Sequence, residues 1–316
     1  MENKITGIHH ITVMAGNPQA NYDFYTQVLG LRFIKKTVNF DAPDVYHFYY
    51  GDETGTPGTI LTFFPFPDAR RGKRGAGEIS KISFRIPSYS LDYWVDRLAA
   101  LAISFNGPST NFGSPYISFL DPDGMLVELV SEPIADSIRG WNNGEIPEEH
   151  SIRNFSGVEF LLNDSVATEK LLVDVLGFSF VESQNNIKRF STGEGSSLSI
   201  VDLKTIPEIG FPKNGAGSVH HIAWRTANDE TQTTWRNKVI EHGLFPTEQR
   251  DRNYFRSIYF REPGGILFEI ATDEPGFLID EDIDSLGTEL KLPEWYESKR
   301  AIIESQLYPL TTKEPV

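Results

Sequence analysis

Two pairs of adjacent histidines open two apolar, strand-like segments of this 316-residue chain. His9 and His10 lie in GIHHITV, and His220 and His221 lie in GSVHHIAW. A third segment, GGILFEIA, contains Glu269 among aliphatic residues, where a carboxylate is costly to bury unless a cation or strong donors compensate it. Two neutral imidazoles and one carboxylate supply three ligands for a divalent metal and leave coordination positions open. This set suits non-haem Fe(II) oxygen chemistry.

The two members of each histidine pair should have different surroundings, because side chains alternate between the two faces of a strand. His10 shares a face with Thr12, and the members of the second pair lie on opposite faces. Strict alternation therefore turns His9 and His220 away from a metal bound by His10 and His221. For His9 and His220, an alternative role as hydrogen-bonded core residues stays open.

The segments that carry these residues belong to an internal repeat. One strand, one helix and further strands follow each other four times, beginning near residues 5, 78, 153 and 217. The clearest internal matches are VLGLRF with VLGFSF, and FLDPDGMLVELVSEP with FREPGGILFEIATDEP. Repeats of this size predict an α+β fold of four strand–helix–strands units in two similar halves.

The repeat also predicts the organisation of the chain. An N-terminal pair of units should occupy residues 1–132, a polar linker residues 133–152 and a C-terminal pair residues 153–276. A helical tail should follow at residues 277–316, with residues 292–310 as one amphipathic helix that has Pro293 in its first turn.

Composition excludes several classes of function. The formal net charge is −15 and the sequence pI is about 4.9, so nucleic acid and membrane surfaces are not expected partners. The chain has no cysteine, which removes disulfides and thiolate ligands. We find no apolar leader and no run of membrane-spanning length, so a cytoplasmic location is expected.

The repeated units, with histidines on first strands and a glutamate on a last strand, resemble the vicinal oxygen chelate superfamily, which includes glyoxalases and extradiol dioxygenases. More narrowly, GIHHIT, HHIAWR, DRNYFRSIYFREPGGILFEIATDEPGF and LPEWYESKRAIIESQL resemble the ring-cleaving dioxygenases that act on hydroquinones. The resemblance implies four βαβββ modules that form cupped mixed β-sheets with helices outside. It also implies Fe(II), with Mn(II) or another divalent metal as alternatives.

The resemblance, carried over position by position, assigns metal binding to His10, His221 and Glu269. It assigns catalytic roles near the metal to five further residues, which are His9, Thr12, His220, Arg252 and Tyr259. Arg252 would bind an oxygen of the substrate or an oxygen-derived anion by charge-assisted hydrogen bonds. A surface ion pair with Asp251 or Glu262 is its alternative role.

Neither chain half contains a complete ligand triad. In the register of VLGLRF with VLGFSF, His10 corresponds to Gly157, which offers no ligand. Glu128 corresponds to Glu269, but the first strand of its own unit, KISFRI, has no histidine. The first and fourth modules should therefore supply the site together.

The resemblance implies an enzyme that inserts O2 into a hydroquinone-type or catechol-type ring, with a small aromatic substrate and a homo-oligomer as the further expected partners. Two alternatives come from the same superfamily. A glyoxalase-like isomerase or lyase would usually carry a second glutamate at the metal. A non-enzymatic small-molecule binding protein would usually lack the metal ligands, and this chain keeps them.

Overall fold

The computed structural model describes residues 4–142 and 144–312. Each of the four modules contains one strand, one helix and three further strands in that order, which confirms the predicted α+β architecture. Module 1 consists of β1 (Ile8–Ala15), α1 (Pro18–Asp23), β2 (Arg32–Asn39), β3 (Ala42–Gly51) and β4 (Ile60–Pro65). Module 2 consists of β5 (Glu78–Ile86), α2 (Leu91–Ala100), β6 (Phe105–Asn111), β7 (Ser114–Leu120) and β8 (Leu126–Ser131).

The second half of the chain repeats this order. Module 3 consists of β9 (Phe155–Leu162), α3 (Val166–Lys170), β10 (Ser179–Gln184), β11 (Ile187–Thr192) and β12 (Ser199–Thr205). Module 4 consists of β13 (Val219–Thr226), α4 (Asp229–Glu241), β14 (Arg250–Asp251), β15 (Phe255–Arg261) and β16 (Leu267–Pro275). The predicted chain limits at residues 1 and 316, and residue 143 of the predicted linker, lie outside the described residues.

The sixteen strands form two curled, mixed sheets of eight strands each. The first sheet has the order β14-β15-β16-β13-β1-β4-β3-β2 and so joins modules 1 and 4. The second has the order β10-β11-β12-β9-β5-β8-β7-β6 and joins modules 2 and 3. At the centre of the first sheet, β1 runs antiparallel to β13. Strands therefore pair across the two halves of the chain, and the division into two domains stays a prediction.

One face of the site-bearing strands packs against a helix and leaves the other face for the site. On β3, Phe48 and Tyr50 are buried in the main core, and Tyr25, in the π-helical turn Phe24–Val28 that continues α1, packs on the Tyr50 ring at 5.4 Å. His47 and Tyr49 alternate with them and line a cavity on the opposite, concave face. The helices thus lie outside the cup.

Two β-bulges interrupt the pairing of β1 with β13. In β1, His9 is the extra residue directly before His10, and in β13, His220 is the extra residue directly before His221. A bulge places two residues opposite one and redirects a side chain locally. The strict alternation expected from the sequence is therefore wrong at both histidine pairs.

The tail differs from the prediction of one helix over residues 292–310. It contains two short helices, α5 (Glu294–Glu297) and α6 (Arg300–Gln306). Helical geometry is lost at Lys299, where φ is −110° and ψ is 8°. Tyr296 donates to the Phe40 carbonyl at 2.8 Å, and Arg300 donates to the Leu290 carbonyl at 3.0 Å. These bonds tie the two helices to different segments of the chain. No helix among the described residues is long and apolar enough to cross a membrane.

Candidate metal centre and active site

Three buried side chains from modules 1 and 4 converge on the concave face of the first sheet. Nε2 of His10 lies 3.3 Å from Nε2 of His221 and 3.3 Å from Oε2 of Glu269. Nε2 of His221 lies 2.9 Å from the same carboxylate oxygen. Strand pairing explains the convergence, since His10 and Glu269 flank Ala223 from the two neighbouring strands. The small alanine side chain leaves the space between them open.

The spacing of these atoms fits a metal ion. Three ligands bound about 2.1 Å from one metal at right angles would lie about 3.0 Å apart, close to the 2.9–3.3 Å that separate them. Glu269 Oε2 is buried and makes no hydrogen bond of acceptable geometry within the described chain. A divalent cation bound between these three atoms would compensate the buried carboxylate. No other group of histidine and acidic residues in the described part of the chain meets the same ligand spacing.

The surroundings keep Glu269 ionised. Burial alone would raise the pKa of the Glu269 carboxyl, but His10 and His221 together hold it well below its usual value. Ser257, which sequence reasoning missed, is fully buried on β15 and donates its hydroxyl to Glu269 Oε1. Burial lowers the pKa of His221, so its imidazole is neutral and free to coordinate near neutral pH.

Each histidine of the triad contacts its chain neighbour through Nδ1. Nδ1 of His9 lies 2.9 Å from Nδ1 of His10, and Nδ1 of His220 lies 2.8 Å from Nδ1 of His221. Burial, followed by repulsion from the adjacent histidine, lowers the pKa of His9 well below its usual value and that of His220 to about 4. Both neighbours are therefore neutral, and each can accept the Nδ1 proton of a histidine that coordinates through Nε2.

The two neighbouring histidines differ in what else they face. His220 is exposed to the same cavity as the triad. His9 is 2% exposed and lines a smaller cavity of about 220 Å³, together with Phe255 and Asp273. The structure thus brings both histidines against the ligand set, but only His220 reaches the space beside it.

Thr12, the third predicted residue near the metal, belongs to a network that sequence reasoning did not identify. Its hydroxyl lies 2.8 Å from the hydroxyl of Thr62 on β4. Thr62 in turn lies 2.9 Å from Nε2 of His47, and the Tyr49 hydroxyl lies 2.9 Å from His47 Nδ1. The available signal was one histidine in the aromatic strand VYHFYY, on the same face as Tyr49.

Arg252 and Tyr259 meet at the other side of the cavity. Nε of Arg252 donates to the Tyr259 hydroxyl at 3.0 Å, and the Tyr259 ring packs 5.8 Å from that of His221. The guanidinium also lies 3.4 Å from Oδ2 of Asp41, an exposed residue of the turn between β2 and β3. Neither partner considered from the sequence, Asp251 or Glu262, forms its ion pair within the described residues.

The triad opens into a cavity of about 410 Å³. Its apolar lining residues are Met14, Phe40, Phe64, Phe66, Phe255 and Leu267. The tail packs against one wall of this cavity, since the Trp295 ring lies 5.5 Å from that of Phe40. A larger groove of about 700 Å³ lies between β2, the linker and the tail, and none of the three triad residues lines it. The chemistry therefore points to the smaller cavity.

In the second sheet, a lysine ammonium takes the place of a ligand set. Glu128 holds the position in β8 that Glu269 holds in β16, and Lys81 holds the position in β5 that His221 holds in β13. Nζ of Lys81 lies 3.0 Å from Glu128 Oε2, and Ser83 donates to that oxygen at 2.9 Å. The Glu128 carboxylate is thus compensated without a metal.

The position equivalent to His10 is closed in the second sheet. A Cβ on Gly157 would lie 2.2 Å from the Ile200 carbonyl oxygen, a separation that no side chain tolerates. The cavity there holds only about 20 Å³, against about 410 Å³ beside the triad. Within the described residues, only the first sheet combines three ligand atoms with room for a substrate.

Four βαβββ modules around a shared His–His–Glu cluster define the class of protein. The sequence matches the Glyoxalase/Bleomycin resistance protein/Dioxygenase superfamily over residues 7–129 and 159–270, and the chain belongs to this superfamily. Crystalline glyoxalase I from Zea mays has the same fold, with a TM-score of 0.61 at 12% identity over 84% of this chain and 92% of that chain.

More similar relatives have names that refer to dioxygenases. MhqO of Bacillus subtilis (strain 168), provisionally named a ring-cleaving dioxygenase, is 44% identical over 317 residues, which cover 99% of each chain. The chlorohydroquinone/hydroquinone 1,2-dioxygenase of Sphingobium indicum is 34% identical over 296 residues, or 92% of each chain. A Bacillus subtilis crystal structure, provisionally titled a dioxygenase, superposes with a TM-score of 0.93 at 42% identity over 99% of each chain.

Proposed function

We propose that the protein is an Fe(II)-dependent, ring-cleaving dioxygenase that inserts O2 into a hydroquinone-type ring. The convergence of His10, His221 and Glu269 within 2.9–3.3 Å carries this proposal. Two histidines and one carboxylate with open positions are the ligand set of non-haem Fe(II) oxygen enzymes. The names of the relatives, including a hydroquinone dioxygenase, support the choice of substrate.

The triad would hold the metal through Nε2 of both histidines and Oε2 of Glu269. When bound, Fe(II) would supply Lewis acidity, electron transfer and adjacent positions for the substrate and O2. A catechol-type ring is the alternative substrate, and Mn(II) or another divalent ion the alternative metal. Neither alternative has a specific contact in its favour.

The cavity fits an aromatic substrate with ring substituents. A dry apolar cavity of about 150 Å³ is enough to bind benzene, and this cavity measures about 410 Å³. Its aromatic walls would contact the ring by stacked or edge-to-face packing. Phe40, one of the lining residues, lies where the turn after β2 and the tail meet.

Tyr259 is suited to donate a hydrogen bond to a substrate oxygen. Burial, followed by the nearby Glu269 charge, raises the pKa of the Tyr259 hydroxyl, so it stays protonated near neutral pH. Its oxygen accepts a hydrogen bond from Arg252, so its own proton would be directed to another oxygen atom. Arg252 thereby orients the tyrosine and brings a positive charge to the site.

His220 would present an N–H group to the substrate. If His221 coordinates through Nε2, its Nδ1 proton is donated to Nδ1 of His220, which then carries its own proton on Nε2. His220 is exposed to the cavity, so it would act first as a donor to an oxygen atom there. His9 would orient His10 in the same way from inside the fold.

Oxygen consumption tests the proposal. The protein is loaded with Fe(II) anaerobically and mixed with hydroquinone, methylhydroquinone or catechol, after which O2 uptake and the product mass in ¹⁸O2 are measured. We expect one O2 consumed per ring, both oxygen atoms in an open-chain product, and the highest rate with a hydroquinone. Zn(II)-loaded protein, which has no redox chemistry, and Glu269→Gln should consume none.

Two results would contradict the proposed activity or its substrate class. If fully iron-loaded protein consumes no O2 with any of the three substrates, it is not a ring-cleaving dioxygenase of this type. A faster reaction with catechol than with either hydroquinone would replace the substrate class and leave the metal site standing.

A further inference from the structure

A chain of four hydrogen-bonding groups runs from the cavity wall to the strand that carries the first ligand. Tyr49, His47, Thr62 and Thr12 follow one another at 2.9, 2.9 and 2.8 Å. Three adjacent strands bring them together, since Tyr49 lies opposite Thr62 and Thr62 lies opposite Thr12. Thr12 and Thr62 are fully buried and Tyr49 is 1% exposed, so these groups must find their partners inside the fold.

The protonation states of Tyr49 and His47 determine which group donates in each of these hydrogen bonds. Burial raises the pKa of the Tyr49 hydroxyl well above its usual value, so it keeps one proton, which needs an acceptor. The one partner of that hydroxyl in the described part of the chain is Nδ1 of His47. Burial also lowers the pKa of His47, so its imidazole is neutral. An Nδ1 that accepts from tyrosine leaves the imidazole proton on Nε2.

The hydrogen bonds keep the same donor-to-acceptor direction as far as Thr12. Nε2–H of His47 donates to the Thr62 hydroxyl, and the Thr62 proton is then directed to the oxygen of Thr12. The Thr12 hydroxyl has no further recorded partner among the described residues, so its own proton remains available. Thr12 is opposite His221 in the strand pairing and two residues after His10. The register therefore places this fully buried hydroxyl next to the strand positions of His10 and His221.

We propose that His47 is a positioning residue that acts through Thr62 on Thr12. Its role is to fix the Thr12 hydroxyl as a hydrogen-bond donor to the oxygen atom that reacts beside the triad. This role rests on the proposed dioxygenase function. A preorganised donor of this kind stabilises charge that develops on oxygen during the reaction and costs no reorganisation.

Nuclear magnetic resonance tests the direction of the chain without any reaction. Zn(II)-loaded protein labelled with ¹⁵N in histidine gives separate signals for protonated and unprotonated ring nitrogens. We expect His47 to be neutral with its proton on Nε2, and we expect its Nδ1 signal to move when Tyr49→Phe removes the donor. A proton on Nδ1, or a charged imidazole, would overturn the proposal.

Kinetics of the Fe(II)-loaded enzyme test the role of the chain. His47→Phe and Thr62→Val break it, and each should lower kcat by about 10- to 100-fold, as loss of outer contacts at metal sites does. Metal stoichiometry should stay unchanged in both variants. The anaerobic Kd for hydroquinone should stay unchanged in Thr62→Val, because Thr62, unlike His47, does not line the cavity. Thr62→Ser keeps the hydroxyl and should recover most of the rate. His242→Gln changes an exposed histidine and serves as the control.

The outcomes separate the two proposals. If the wild-type enzyme consumes no O2, the dioxygenase function fails and the role of Thr12 fails with it. If the wild type is active but Thr62→Val retains its kcat, only the positioning role is wrong. An equal loss in Thr62→Val and Thr62→Ser would show a packing effect and would also overturn the positioning role.

Discussion

Ser257→Ala tests how the protein orients its carboxylate ligand. Ser257 is fully buried and donates its hydroxyl to Oε1 of Glu269, while Oε2 is the oxygen that faces the two histidines. The hydroxyl therefore fixes the rotation of the carboxylate that directs Oε2 toward the metal. Removing one oxygen atom changes the packing very little, so the loss of this hydrogen bond should dominate the effect.

The size of the effect follows from the type of bond. A hydrogen bond to a charged group contributes about 1.5–3 kcal/mol, and about 1.4 kcal/mol corresponds to a tenfold change in a dissociation constant. Loss of an outer contact at a metal site costs about 10- to 100-fold in affinity. Both routes predict that Ser257→Ala weakens metal binding by about 10- to 100-fold.

A competition titration with Zn(II) and a chromophoric chelator at constant pH measures this Kd. The second sheet supplies a control, because Ser83 donates to Glu128, the equivalent of Glu269, beside a lysine that takes the position of His221. Ser83→Ala should leave the Kd unchanged. If Ser257→Ala binds metal as tightly as the wild type, or if both variants weaken it equally, Ser257 does not orient the ligand.

Three further changes give distinct outcomes. Tyr259→Phe removes the donor to the substrate and should weaken anaerobic hydroquinone binding by about tenfold at unchanged metal content; an unchanged Kd would contradict this. Burial places the pKa of His221 below its usual 6.5, so protons should compete with the metal only below that pH. A metal affinity that already falls between pH 8 and 7 would contradict the assignment of His221 as a ligand. Asp41→Asn frees Arg252 and should improve binding of a carboxylated hydroquinone, by less than about tenfold because Asp41 is exposed; equal or weaker binding would contradict it.

The fold and the convergence of His10, His221 and Glu269 could be predicted because each of these residues lies in a short, recognisable sequence segment. Each ligand lies in a short apolar strand segment, and the repeated order of the modules relates those segments to one another. Gly157 at the position of His10 also indicated that one chain half cannot complete the site. The structure adds the reason, since a Cβ there would meet the Ile200 carbonyl oxygen.

The bulges and the hydrogen-bond network could not be predicted, because they depend on pairing between distant strands. Alternation alone turned His9 and His220 away from the ligands, but a bulge at each places its Nδ1 against that of the next histidine. His47 gains its role only when β3 lies beside β4 and its partner Thr62. Neither the bulges nor the contact between His47 and Thr62 can be inferred from a single sequence segment.

The tail shows a different limit. Its helical pattern was visible over residues 292–310, but the structure breaks the helix at Lys299, and hydrogen bonds bind the two pieces to the Phe40 and Leu290 carbonyls outside that range. The assembly state stays a prediction, because the contacts within one chain do not determine it.

Anomalous X-ray scattering from crystals of anaerobically Fe(II)-loaded protein tests the metal centre most directly. Data collected on both sides of the iron edge should give one strong peak per chain, about 2.1 Å from Nε2 of His10, Nε2 of His221 and Oε2 of Glu269. The same peak should be absent from crystals of Glu269→Gln. A peak elsewhere in the chain, or full iron loading without a peak between these three residues, would contradict the assignment.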